Sequence, residues 1–379
     1  MDSSGGGVPR GVSNLAIQLN NQGINSSIFS SGNTRKQIAN NESLIKNLVR
    51  GGIDIELSQT LIKNSHGIGS LRNFNRIISK FTSTDLVVLH QVYTFSTLLG
   101  YKYARRYRVP YAIMPHGSLT KYHESDSRII KRVAKKLIIS KILKNASAII
   151  VTCKSEKDDL SASLQSKAYI IKYGATIGAK SVSLKSQSDI KSSEIRIMFS
   201  GRFDKKKNLP LLLTAMPEIL NFHHDLILDI AGSGTAREVR NIKKIVSKLQ
   251  LSNNVEFHGW IDQNEMSELF NSTRLLVLPS SNENFAIVVS EALSMGVPCV
   301  ISKFVGTSDI VAKHHAGEII NELTPSAIAA EVIKVLSGDK NAYKKAALKA
   351  TREDLDWAKI GMQWKRLIKD LAVELKQSF

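Results

Sequence analysis

The sequence predicts an α/β protein built from two Rossmann-like, doubly wound domains, and three observations predict it. Short apolar runs alternate with helix-like stretches along most of the chain, the pattern of βαβ units on parallel sheets. The serine- and charge-rich stretch SVSLKSQSDIKSSE (181–194), poor in large apolar residues, interrupts that alternation, which then restarts. Finally, 379 residues with 42% hydrophobic content are too many for one ordinary core.

In the first domain, placed at 1–185, strands are expected at DLVVLH (85–90), YAIMPH (111–116), SAIIVT (147–152) and AYIIKY (168–173). In the second, at 186–356, they are expected at IRIMFSG (195–201), LILDIAG (226–232), VEFHG (255–259), LLVLPS (275–280) and PCVIS (298–302). The tail, 357–379, carries WAKIGMQWKRLIKDL with apolar residues at helical spacing, a helix that caps a domain or crosses back to the first one. At the opposite end Gly5-Gly6-Gly7 follows only Met-Asp-Ser-Ser, whereas a doubly wound domain sets a strand before its first Gly-rich turn. The first strand is therefore expected either upstream, in a longer reading frame, or from another segment filling the central slot.

Composition excludes several classes. No apolar run approaches the roughly 18 residues of a membrane span, and MDSSGGGVPR lacks a signal peptide's apolar stretch, so a cytoplasmic protein is expected. Cys153 and Cys299 lie in apolar contexts and are too sparse for a disulfide framework or zinc site. A net charge of +19 calls for an acidic partner. With 6% aromatic residues, no zinc-finger spacing and no RNP-like run, no nucleic acid is expected. In RIIKRVAKKLIISKILK (128–144), Ile129, Ile130, Val133, Leu137 and Ile142 fall largely on one helix face, with Lys131, Lys135, Lys136 and Lys144 near the other. That fits an interfacial helix on an anionic membrane surface, and equally an amphipathic helix covering a sheet.

The segment most informative about chemistry is LLVLPSSNENFAIVVSEALSMGVPCVIS (275–302). It reads as a strand ending at Ser280, a polar loop, and a helix from about Phe285 to Met295 stopped by Gly296. Asn284 is expected to cap that helix, presenting the amides of Phe285, Ala286 and Ile287 to a phosphate at the positive dipole end. Glu291 would then sit about 9 Å along the helix, the reach from a diphosphate to a ribose diol. Glu283, on the loop before the helix, would face sugar hydroxyls. An exposed loop glutamate and a solvated helix glutamate would produce the same letters.

Glu283-x7-Glu291 followed by Ala292, Gly296 and Pro298 resembles the donor-site motif of the retaining family-four GT-B glycosyltransferases, with Ala286 where that family usually has Gly. Three other segments resemble the same family. SGRFDKKKNLPLLLTA (200–215) matches its Gly-Arg…Lys-Gly segment, with Asn208 for the usual Gly. Pro115-His116-Gly117 matches its His-Gly motif, and Gly5-Gly6-Gly7 with VSNLAIQLNNQG (12–23) its opening loop and helix. The resemblance implies a GT-B fold with two domains facing a central cleft, and transfer of a hexose or related sugar from a nucleoside-diphosphate donor with retention. The acceptor would be a glycan or lipid-linked sugar, as in cell-surface polysaccharide, lipopolysaccharide or capsule synthesis, on the inner face of the plasma membrane. By that alignment Arg202 and Lys207 hold the leaving diphosphate, His116 lines the sugar site, Glu283 positions the sugar, and Gly7 makes a close backbone contact. Two fixed cations take the place of a metal, so neither metal nor cofactor is expected. Asp354-Leu-Asp356 has no strand before it and is read as accidental. Two alternatives stay open, a GT-B nucleotide-sugar epimerase and an inactive basic binding protein of the same fold.

Overall fold

The computed structural model describes residues 7–33, 42–59, 81, 83–120, 138–175 and 194–377. Contacts divide the chain into two compact units, Met1–Tyr173 with Trp357–Phe379, and Gly174–Asp356. Both are α/β with parallel pairing throughout the described strands.

The first unit begins with α1 (Gly7–Asn21), β1 (Ser27–Asn33), α2 (Glu42–Arg50) and β2 (Asp54–Gln59). It continues with β3 (Val87–His90), α3 (Phe95–Tyr107), β4 (Tyr111–Met114), α4 (Ser140–Lys144), β5 (Ala148–Val151), α5 (Lys154–Asp158), α6 (Ala162–Gln165) and β6 (Ala168–Ile170). α1 begins at Gly7, earlier than the glycine-loop reading placed it. Pro9 fits its first turn because the missing N–H there would have had no helical partner anyway. β1 and β2 form one sheet, and β3 to β6 a second in the order β3-β4-β5-β6; among the described residues no strand joins them. Phe29 of β1 and Val87 of β3 nevertheless pack around the same α3 residues, Leu99 and Tyr103. In the four-stranded sheet the central strands β4 and β5 are buried along their whole length, which is why they read as unbroken apolar runs.

The second unit follows as β7 (Ile195–Ser200), a 3₁₀ turn (Lys205–Lys207), α7 (Leu209–Phe222), β8 (Leu226–Ala231), α8 (Ala236–Lys248) and β9 (Val255–Gly259). Then come α9 (Gln263–Ser272), β10 (Thr273–Leu278), α10 (Ile287–Ser294), β11 (Cys299–Ser302), α11 (Ser308–His314), β12 (Gly317–Ile320), α12 (Pro325–Ser337) and α13 (Lys340–Asp354). α14 (Trp357–Gln377) belongs to the first unit, where Gln22 donates to the Trp357 carbonyl at 2.7 Å. The strand order is β12-β11-β10-β7-β8-β9. β7 and β10 are central neighbours, yet the chain leaves β7 toward one edge and β10 toward the other. That reversal opens a crevice at their carboxyl ends, the position where open α/β sheets bind ligands.

Backbone contacts join the carboxyl ends of β7, β8 and β9 on one side of this crevice. Gly201 N–H donates to the Ala231 carbonyl at 3.0 Å, Gly232 N–H to Gly259 at 2.6 Å, and Phe203 N–H to Ser233 at 3.0 Å. The approach requires glycine at Gly232, whose φ is +147° and where an added Cβ would lie 1.9 Å from the Gly201 carbonyl oxygen. Among the described residues no helix is long and apolar enough to cross a membrane. We predict that Gly232→Ala destabilises the second unit by about 2–4 kcal/mol through overpacking and backbone strain. Urea denaturation followed by tryptophan fluorescence measures this, and an unchanged midpoint would contradict the close approach.

Candidate functional site

Three loops of the second unit converge at the strand reversal. The loop after β7 turns through the Lys205–Lys207 3₁₀ turn into Asn208, which adopts φ 53° and ψ 32° at the start of α7. That left-handed conformation suits glycine best and asparagine next, a physical reason for this residue type here. Asn208 Nδ2 donates to the Pro279 carbonyl at 2.9 Å and Ser281 N–H to the Lys206 carbonyl at 2.7 Å, stapling the β7 loop to the β10 loop. A third loop, after β11, joins through Glu283, whose N–H donates to Phe304 at 3.0 Å and whose carbonyl accepts from Gly306 at 2.7 Å.

The staples bring Lys207 and Glu283 together. Lys207 lies over Gly201, where an added Cβ would come within 3.0 Å of its Cε, and its Nζ stands 2.6 Å from Glu283 Oε2. Burial alone would raise the Glu283 carboxyl. Lys207, Lys206 and Arg202 outweigh it and hold the group below the ordinary carboxylate value. Arg202 points more outward, half-exposed and 3.4 Å from Asp204, so it acts on the pair through its field and not by contact. Chemically this is a cationic pocket with one internal counter-ion, able to take an anion.

Glu291 lies on α10 and is 1% exposed, which removes the solvated-glutamate reading. A carboxyl on a helix otherwise buried through Val289, Ala292 and Leu293 is costly unless it serves a partner. The beginning of this helix differs from the expectation. α10 starts at Ile287, and its N-cap is Ala286 at φ 56° with no side-chain cap, so Asn284 does not cap it. The preceding residues are engaged elsewhere: Glu283 forms an isolated parallel bridge with Val305, and the chain then bends through Asn284 and Phe285 before the helix can start. The N-terminal amides that the helix itself leaves unbonded are therefore those of Ala286, Ile287 and Val288, since Val289 N–H donates to the Ala286 carbonyl at 2.8 Å. Ala286 itself occupies the left-handed region, at a cost of roughly 1–2 kcal/mol for a residue with a Cβ.

His116 lies in the first unit, in the turn after β4, at φ 51°. Sequence reasoning singled it out but missed its surroundings. His90, at the end of the neighbouring strand β3, places Nδ1 3.0 Å from His116 Nε2, and Tyr173 lies nearly parallel to the His116 ring at 6.2 Å between centroids. Beneath the turn the buried Glu156 accepts from Gly117 N–H at 2.7 Å and from Thr152 N–H at 3.0 Å. His90 could have been found: a histidine ending the strand beside another His-terminated parallel strand falls in the same layer. Glu156 and Tyr173 carry no such signal.

Gly7 is exposed at the start of α1, and Gly5 and Gly6 lie outside the described residues. So does most of 128–144, including Lys131, Lys135 and Lys136; its last turns bury Ile139, Ile142 and Leu143 in the first unit's core. Asp354 is paired with Lys313 at 2.8 Å and His314 at 2.6 Å. Asp229, Glu256 and His258 form a cluster of metal-ligating types among the described residues, but Arg196 already bonds Asp229 and Glu256 there. Cys153 and Cys299 are both buried and neither is in a disulfide.

The histidine pair generates a prediction about acid stability. Burial lowers His90 from 6.5 to about 4, and burial followed by the His90 charge holds His116 well below its ordinary value. The unfolded chain then binds more protons between those values, so the contribution is fully present above about pH 6.5 and declines as pH falls toward about 4. Tyr173 and Glu156, the other titratable groups facing the pair, remain in place in His90→Phe. That variant should lose less stability than the parent between about pH 6.5 and 4.5 in urea titrations; equal losses would contradict the assignment.

Comparison with known proteins completes the description. Residues 183–353 match the family model described as Glycosyl transferases group 1, and residues 5–174 the model described as Glycosyltransferase Family 4. An uncharacterized glycosyltransferase of Methanocaldococcus jannaschii is 31% identical over 188 residues, covering 49% of this chain and 47% of that protein. The D-inositol 3-phosphate glycosyltransferase of Streptomyces bingchenggensis is 27% identical over 39% of this chain and 34% of its own length. The match thus spans about half or less of these curated relatives. The crystal structure of Anabaena HepE in complex with UDP-glucose superposes with a TM-score of 0.75 at 16% identity, covering 98% of each chain, a likeness of fold. Two consecutive family models spanning both units, over this strand topology, settle the membership: the chain belongs to the group 1 glycosyltransferases of GT-B fold.

Proposed function

We propose that this chain transfers a hexose or related sugar from a nucleoside-diphosphate donor to a glycan or lipid-linked acceptor, with retention, on the cytoplasmic side of a membrane where surface polysaccharide is assembled. The observation that carries the reading is the Lys207–Glu283 pair at the β7/β10 reversal, with Glu291 buried on the helix that leaves the same loop. A diphosphate is the anion such a pocket suits, and UDP-glucose in the Anabaena HepE structure supports a nucleotide sugar.

In this reading Glu291 accepts the two ribose hydroxyls and the first-turn amides of α10 face the diphosphate. The bond from the sugar's anomeric carbon to the phosphate oxygen breaks, its electron pair leaving with the diphosphate. Lys207 and Arg202 stabilise that growing charge, so metal is not required. The leaving phosphate oxygen takes the acceptor hydroxyl's proton as the new glycosidic bond forms on the same face of the sugar. Glu283 holds sugar hydroxyls, His116 of the first unit is assigned to the sugar by the family resemblance alone, and no separate side chain serves as base.

The deciding experiment is incubation with a panel of nucleotide sugars and acceptor glycans, reading released nucleotide and the anomer formed. A donor that melts with the protein but yields nucleotide only on epimerisation, or an inverted product, overturns the reading. Glu291→Ala should weaken donor binding about 10- to 150-fold, from the 1.5–3 kcal/mol of a charged hydrogen bond; unchanged calorimetric affinity removes the ribose role. Lys207→Ala and Arg202→Ala should lower kcat by a larger factor than they weaken donor binding, since the charge they meet grows as the bond breaks. Transfer should also persist in EDTA, and loss of activity that magnesium or manganese restores would disprove the metal-free step.

A further inference from the structure

His116 is held from four sides, and each contact has a separate origin. Its backbone occupies the left-handed region, followed by Gly117 at φ 77°. The carboxylate of Glu156 anchors the Gly117 amide from below, and Tyr173 lies nearly parallel to the imidazole, 7° between planes. The only polar contact of the ring among the described residues is His90 Nδ1, at 3.0 Å from Nε2, with the two rings stacked at 5.3 Å and 22°. Glu156 and Tyr173 are buried, and the two imidazoles are partly so.

We propose that His90 is a positioning residue for His116, fixing its tautomer and ring plane through a single shared proton. Two imidazole nitrogens at hydrogen-bond distance require one to donate and the other to accept. Either arrangement assigns the proton at His116 Nε2 and therefore decides whether Nδ1, the nitrogen left for a ligand, accepts from or donates to a hydroxyl. Without His90 both tautomers and a flipped ring become available, and only a fraction of molecules would present the required nitrogen. β3 and β4 pair in parallel with His90 opposite Met114, which sets the two imidazoles in one layer at the strand ends. The inference deepens the proposed role of His116 and rests on it.

Two measurements separate the proposal from that role. Nitrogen-15 NMR of the imidazoles, with His116 assigned from the missing signals of His116→Asn, should show one dominant tautomer for His116 in the parent and a mixture in His90→Phe. His90→Asn, whose amide overlays the Nδ1 position, should restore a single tautomer. In transfer assays with UDP-sugars His90→Phe should lower kcat about 10- to 100-fold with donor KM unchanged, and His90→Asn should recover most of it. A mixed tautomer in the parent, or His90→Asn no better than His90→Phe, overturns the positioning role. If His90→Phe fails to fold, the parent spectrum and His90→Asn decide alone. Absence of transfer by the parent would instead refute the functional reading, while the NMR result would still judge the His90–His116 coupling.

Discussion

Parallel strands all send their following loops to the same edge of a sheet, and adjacent strands whose chains depart in opposite directions leave those loops apart, with a gap that side chains and ligands can enter. In the second unit that constraint falls on β7 and β10. Everything of chemical interest there depends on it: Lys207 arrives on one loop, Glu283 on the other, and the Asn208 and Ser281 hydrogen bonds set how far apart the loops stand. The two charges meet at 2.6 Å only because both loops are held, since the residues lie far apart in the chain.

The three most telling carboxylates are handled differently. Glu283 is partly buried beside cations and kept charged by them. Glu156 gives its oxygens to backbone amides and a hydroxyl, and so holds a turn in shape. Glu291 is enclosed on a helix that is buried along most of its length. The chain's excess of positive charge is thus not spread evenly in its effects, since Lys207 is nearly enclosed while Lys205 remains exposed and solvated.

How much of this was legible depended on burial. Strands covered on both faces, such as AIIV (148–151) and LILDIA (226–231), are unbroken apolar runs and were readable as strands. β1 and β2, with the sequences SIFSSGN and DIELSQ, lack that mark because they are partly exposed and carry polar residues, and GEII of β12 is too short to stand out. In the motifs, the placement of residues on loops after strands could be read from spacing, but conformation could not. Asn284 looked like a cap because the alphabet of caps favours it, whereas the bridge to Val305 moved the cap to Ala286. The Lys207–Glu283 contact joins residues far apart in the chain, and the histidine pair joins ends of two strands; both are products of tertiary assembly.

The strand ends beside the Lys207–Glu283 pair are joined by main-chain atoms: Gly201 to Ala231, Gly232 to Gly259, Phe203 to Ser233. A surface assembled this way has no opinion about the side chains that rise from it, apart from the few glycines it needs. The residues that choose a particular base, sugar or acceptor can therefore be exchanged one at a time without dismantling the support. For a chain like this one, the capacity to acquire a new substrate is a property of the backbone, and the present substrate is written in the side chains standing on it.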